Sequence, residues 1–149
     1  MYEIREASVQ QMLDSATELF KEHYEEIALN KQVMVLKPLG DKYLEAESQG
    51  SLLILAIYKS DELIGYSVNI MSFHLHYASL KVCYNDLLFV KASHRKGRAG
   101  FMLIKKTEEY AKQLQCKLML WHAKPNTALE KLMPKLGYGY QDIIFSKEI

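Results

Sequence analysis

Residues 86–100 of this 149-residue chain read DLLFVKASHRKGRAG. An apolar strand runs into a short loop carrying Lys91, His94, Arg95, Lys96 and Arg98, with Gly97, Ala99 and Gly100 as its small residues. The loop opens directly onto a helical run over residues 101–115. Small residues let a loop backbone approach a ligand closely, and the first-turn N–H groups of a helix have no intrahelical partner. With the helix dipole added, the pattern predicts an anion site, and phosphate suits it. The alternative is a solvated basic turn. The loop is neither G-x-x-x-x-G-K-[ST] nor G-x-G-x-x-G, which disfavours a nucleotide P-loop and a dinucleotide site.

Residues 95–100, Arg-Lys-Gly-Arg-Ala-Gly, resemble the acyl-CoA pyrophosphate loop of the GNAT (Gcn5-related N-acetyltransferase) superfamily, [RQ]-x-x-G-x-[GA]. Counting from His94 sets Gly97 and Ala99 on the small positions but puts a histidine where Arg or Gln belongs. Counting from Arg95 sets Gly100 on the last small position and leaves Arg98 in place of the middle glycine. The second register is preferred, because Leu103-Ile104 and Glu108-Glu109-Tyr110-Ala111-Lys112 then fall where such helices read L-L and E-E-Y-A-K. A second patch, Trp121-His122-Ala123-Lys124-Pro125-Asn126-Thr127-Ala128-Leu129 followed by Lys135-Leu136-Gly137-Tyr138, resembles the superfamily's N-x-x-A…L-Y-x-K-L-G-[FY]. Met133 stands where that pattern carries its tyrosine. The resemblance covers residues 52–149 well and the first fifty in outline. The W-H-A-K-P and G-Y…D-I-I endings are similar to those of bacteriophage members.

The resemblance implies a mixed α/β (α+β) fold, a GNAT-like N-acyltransferase with a central mixed sheet of about 6–7 strands and flanking helices. It implies acetyl-CoA as cosubstrate and no metal. The pantetheine arm would lie in a cleft between the strand before the loop and the strand after the long helix. Leu88 N–H would polarise the thioester carbonyl, and Phe89 and Val90 would run along pantetheine. Arg95, Lys96, Gly97, Arg98, Ala99 and Gly100 would surround the pyrophosphate, with Asn126 also on the cofactor.

An acceptor amine must be neutral before it attacks a thioester. A lysine-like amine of pKa ~10.4 is protonated in all but about one molecule in 2,500 at pH 7, and a base offsets part of that cost. Strand alternation puts Tyr84, Asp86, Leu88 and Val90 on one face and Cys83, Asn85, Leu87 and Phe89 on the other. Asp86 is then the carboxylate on the thioester face, as base or water-positioner; otherwise it is a carboxylate satisfied by backbone or by a neighbouring cation. His122, beside the predicted cleft, is the second candidate base. With Met133 read as a core residue, the proton for the leaving thiolate comes from Tyr138 or Tyr140, or is not needed. His74 and His76 share a strand face but lack a third metal ligand, so they read as surface histidines. Cys83 reads as an inert core thiol.

These residues need a frame. The length suits one domain over residues 1–149. Residues 2–6, 52–58, 63–76, 81–90, 117–123 and 138–146 read as strands. Helices are expected from Ser8, an N-cap with Gln11 three residues on, to about Glu26, then over 38–49, over 101–115, and over 126–136. Residues 27–37 have no clear period and read as loop. No run of ~18 apolar residues is present, so no membrane span is expected. The start lacks a secretion signal. Two cysteines fit a reducing compartment, hence the cytoplasm. A net charge of +1 disfavours nucleic acid as partner and suits a small polyanion such as CoA at the local basic cluster.

The function expected is acetyl transfer from acetyl-CoA to a primary amine by direct attack in a ternary complex. The acceptor is a small molecule or a protein, and a homodimer is compatible. The runner-up is a non-catalytic acyl-CoA-binding or protein-interaction module on the same fold. A binder of another phosphorylated ligand is a third reading.

Overall fold

Ser60 and Asp61 both adopt positive φ, 49° and 66°, in the two-residue turn between Lys59 and Glu62. That backbone matches the right-handed twist of paired strands, so the apolar run from Leu52 folds back on the next. The computed structural model describes residues 1–149. Its elements are β1 (Tyr2–Glu6), α1 (Val9–Ser15), α2 (Thr17–Ile27), α3 (Gly40–Ser48), β2 (Leu52–Lys59), β3 (Glu62–Phe73), β4 (Lys81–Val90), α4 (Ala99–Gln113), β5 (Leu118–Leu120) and α5 (Ala128–Leu132). The strands form one sheet in the order β1-β2-β3-β4-β5. The first three pairings are antiparallel and β4–β5 is parallel.

Both faces of this sheet are covered, which is why β2 reads LLILAI rather than alternating. On one face Leu53, Leu55, Ile57, Ile64, Met71, Cys83 and Val90 pack with Ala99, Leu103 and Ala111 of α4. On the other, Ile54, Ala56, Tyr66, Val68 and Phe89 pack with Val9 and Met12 of α1, Ala16, and Leu19 of α2. No helix is long and apolar enough to cross a membrane.

Several expected elements differ. Ser8 does cap α1 in a reciprocal box with Gln11, but the helix expected to run to Glu26 breaks at Ala16 (φ −112°, ψ 4°). Ser15 and Thr17 hydroxyls donate to the carbonyls of Gln11 and Leu13, a competition that loosens helices at that point. β3 stops at Phe73 rather than His76, so His74 and His76 lie in the connection to β4.

The sheet has five strands, not six or seven. β5 pairs over only three residues, and residues 138–146 pair with nothing. Ile143, Ile144 and Phe145 are 73–91% exposed there. The three-residue β5 offers this last segment little edge to join. Pro134 sits in a 3-10 turn, Met133–Leu136, which ends the expected long helix at Leu132.

Candidate active site

The site begins with a missing neighbour. β4 pairs with β5 only at Val82, Cys83 and Tyr84, so the β5-side edge of residues 85–90 is open. Lys91 N–H donates to Ile64 O at 2.8 Å. Alternation along an antiparallel pair then turns the N–H and C=O groups of Val90 and Leu88 away from β3, toward the open edge. Phe89 does the reverse: its backbone is directed at Tyr66 and its side chain is buried against His23, ring centroids 4.8 Å apart. Phe89, expected along the cofactor, is therefore turned from the cleft. Gly65 makes the close approach of β3 possible, since a methyl there would overlap the Phe89 carbonyl and lie 3.0 Å from Val90 Cα.

The expected strand alternation fails inside β4. Asn85 pairs with Asn69 and Leu87 with Val68, leaving Asp86 as the extra residue of a β-bulge. The phase changes there, so Cys83, Leu88 and Val90 all pack toward α4, while Leu87 and Phe89 pack toward α1 and α2. Unbroken alternation puts Asp86 on the face of Leu88 and Val90; the bulge turns it to the opposite face. Its Oδ2 accepts from Tyr43 Oη of α3 at 2.5 Å. Burial, then the Asp86 hydrogen bond, pushes the Tyr43 phenol well above its ordinary range. Tyr84, beside Asp86, is also pushed up, by burial and then by that charge. His122, exposed beyond the end of β5, meets the Tyr84 ring edge-on at 4.4 Å. The structure thus gathers Asp86 and His122 around two tyrosines that sequence reasoning missed. Tyr84 carried a signal in its strand position; Tyr43, on a helix 43 residues away, carried none.

The basic loop sorts its cations into two kinds. Arg95 is held: its guanidinium forms a two-pronged pair with Glu26, one contact at 2.6 Å, and its Nε donates to Val90 O at 2.6 Å. The same guanidinium lies over the Phe89 ring. The Arg95 hydrogen bond holds the Glu26 carboxyl below the usual range. Lys91 is paired with Glu62 at 2.5 Å. Lys96 and Arg98 are exposed and without a carboxylate partner. The free positive charge at the loop therefore belongs to Lys96 and Arg98, and Arg95 serves as a brace. Ala99 is buried under the start of α4, Gly97 lies against Tyr2 Oη, and Gly100 faces open space. No side chain caps the N-terminus of α4, so its first N–H groups stand available beside two free cations.

Past β5, Asn126 takes positive φ (64°), a conformation its side chain tolerates, and its N–H reaches Glu130 Oε2 at 2.5 Å. Its own side chain is exposed at the start of α5. Met133 is buried, as a core residue should be. Tyr138 lies on the α4 side, donating to Glu108 Oε2 at 3.0 Å, with Trp121 edge-on to its ring. Burial, aided by Glu108, pushes its phenol up to about 12, so it carries its proton at neutral pH. Tyr138 and Asp86 lie toward opposite faces of the sheet. His74 and His76 pack together, 5.7 Å between rings, and no cluster of three or more potential metal-ligating side chains occurs.

The fold has many relatives of known structure. An aminoglycoside acetyltransferase from an uncultured soil metagenomic sample superposes with a TM-score of 0.78 at 16% identity, over 100% of this chain and 99% of that one. Glucosamine-6-phosphate N-acetyltransferase from Arabidopsis thaliana gives 0.73 at 13% identity, over 99% and 98%. Ribosomal-protein-alanine N-acetyltransferase from Brucella melitensis biovar Abortus gives 0.73 at 11%, over 100% and 99%. Among curated proteins no sequence match is found. At these identities the likeness establishes the fold. The sequence itself matches the Acetyltransferase (GNAT) family over residues 10–138, and a match of that extent makes the chain a member of the GNAT acetyltransferase family.

Proposed function

We propose that this protein transfers an acetyl group from the thioester of acetyl-CoA to a primary amine, by direct attack in a ternary complex. The observation that carries this reading is continuity. The open edge of β4 leads, past the Val90 carbonyl that Arg95 holds, into a loop with two free cations and an uncapped helix N-terminus. A ligand with an extended amide-bearing arm and a pyrophosphate fits both halves at once.

In this reading Lys96, Arg98 and the first N–H groups of α4, at Ala99 and Gly100, take the phosphates. Val90 pairs with the amide arm, once Arg95 gives up its carbonyl. Leu88 N–H is aimed at the carbonyl oxygen, where a fixed donor helps most because negative charge grows there. Asp86, braced by Tyr43, takes the proton of the attacking amine, directly or through water; His122 is the alternative base. The amine nitrogen bonds the acetyl carbon, the carbon–sulfur bond breaks, and the thiolate leaves. Tyr138, protonated at neutral pH, stands on the other side of the sheet as the proton source. Asn126, exposed before α5, completes the cofactor side. The working compartment is the cytoplasm.

One observation favours a non-catalytic acyl-CoA-binding module instead: Met133 is buried where the resemblance carries a tyrosine, and Tyr138 is held by Glu108. Incubation with acetyl-CoA and a panel of aminoglycosides, polyamines, amino acids and peptides separates the two. Release of free thiol with an acetylated product by mass spectrometry is the expected result. Calorimetric CoA binding without turnover on any amine would establish the module. Absence of CoA binding would remove both.

A further inference from the structure

Four buried polar side chains meet where the β3–β4 ladder skips a residue. Asn85, 2% exposed, points its amide nitrogen at Asn69 Oδ1 (2.8 Å), Leu87 O (3.1 Å), Val68 O and Ser67 Oγ (3.3 Å each). Leu87 and Val68 are the pair just beyond the skip, so one amide reaches carbonyls of both strands across the bulge. Asn69 donates onward to Leu53 O of β2 at 3.2 Å. Thr107 of α4 places its Oγ1 3.0 Å from Ser67 Oγ and 2.8 Å from Leu103 O. The network runs from β2 through the bulge to the helix whose N-terminus carries the anion site.

Its surroundings are apolar, Leu53, Cys83 and Leu103 among them. Amides are not needed to fill such a volume. In a low-dielectric interior they hold only while their geometry is kept, and they therefore select one register against its neighbours. A bulge without such a clamp is free to slide. If the extra residue moved one place along, Asp86 would enter the ladder opposite Val68, with a new backbone direction. Both groups placed at the reacting centre, the Asp86 carboxylate and the Leu88 N–H, lie within three residues of the clamp.

We propose that Asn85 is a positioning residue: its buried amide fixes the bulge at Asp86, and thereby fixes Asp86 and the Leu88 N–H relative to one another. Its effect on rate rests on the transferase reading given above. Misplacement by about 1 Å far from the chemistry can cost about 10²-fold. Asn85→Ala is expected to lower kcat by about that factor, with CoA affinity by calorimetry changed by less than about threefold. Thr107→Val, which loosens the far end of the network, is expected to lower kcat on the order of tenfold, and Thr107→Ser to recover most of it. Amide hydrogen exchange at Leu87 and Phe89, whose N–H groups face β3, read by NMR, should accelerate in both Asn85→Ala and Thr107→Val. If Asn85→Ala does not fold, Thr107→Val decides. Wild-type kcat per CoA-binding site in a folded variant, or unchanged exchange at Leu87 and Phe89, overturns the proposal. An inactive wild-type protein would count against the transferase reading alone, and the exchange measurement would still decide the role of the clamp.

Discussion

Over Val82, Cys83 and Tyr84, β4 is paired on both edges, with β3 and with β5; from Asn85 to Val90 only β3 remains. The first half is ordinary sheet interior. The second half keeps its core contacts, through Phe89 and Val90, yet no strand pairs with the Leu88 and Val90 backbone groups on one side, where the Val90 carbonyl accepts only from Arg95 Nε. The change occurs at one bulged residue, Asp86. The contrast teaches that binding capacity here arises from hydrogen bonds the fold withholds, within a strand that packing holds rigid. Edge groups of this kind are a template for an added strand, and an amide-bearing ligand arm fits that role.

The comparison breaks most sharply at the backbone. Leu88→Pro removes an N–H directed at the open edge, where proline leaves the β3 ladder intact. The variant should fold, bind CoA, and lose about 10²–10³ in kcat, the scale of one lost oxyanion donor. Phe89→Pro removes an N–H directed at β3 together with a buried ring, and should not fold. Circular dichroism with steady-state kinetics reads both, and a folded Phe89→Pro would refute the assignment of edges.

Asp86→Asn keeps shape and removes basicity. A rate loss of about 10²-fold, with CoA affinity unchanged, is expected for a lost base. An unaltered rate and pH profile would make Asp86 structural and turn attention to His122→Ala.

His23 supports the open half from beneath, stacked on Phe89 and 2.8 Å from Tyr66 Oη. Burial lowers its pKa to about 4, below the unfolded value of about 6.5. The unfolded chain therefore takes up the proton first as pH falls. Stability is full above about pH 6.5, declines between 6.5 and 4, and levels off below. The loss between pH 7 and pH 5 is about 2 kcal/mol. Denaturant titrations at the two pH values should show it, and His23→Phe should flatten the dependence.

The smallest effect is expected at the loop. Lys96→Ala with Arg98→Ala should weaken CoA binding about tenfold, and less at high salt, as suits exposed charges. If Arg95→Ala weakened binding more steeply with salt than that pair does, Arg95 would be the phosphate ligand after all.

Much of this was legible in the chain. Ser8 with Gln11, the Lys59-Ser60-Asp61-Glu62 turn, and the apolar runs of β2, β3 and β4 are local signals, and each produced its element. The basic loop before α4 was legible for the same reason, since a helix N-terminus and its small residues are contiguous. What failed was non-local. Unbroken alternation put Asp86 on the face of Leu88, because a bulge depends on the register of two strands and not on either alone. The ion pair that holds Arg95 was equally hidden, because Glu26, its partner, lies 69 residues away. The final strand read well from Ile143, Ile144 and Phe145, yet β5 was too short to receive it.

The sequence by itself determined the run of elements from β1 to β5, apart from the break at Ala16, and the basic loop that leads into α4, because periodicity, caps and turns act over a few residues. The tertiary structure alone decided which side of the sheet Asp86 faces, that Tyr43 and Tyr84 stand beside it, and which cations remain free. Those outcomes depend on strand register and on side chains brought together from distant segments, and neither is encoded in any local stretch of chain.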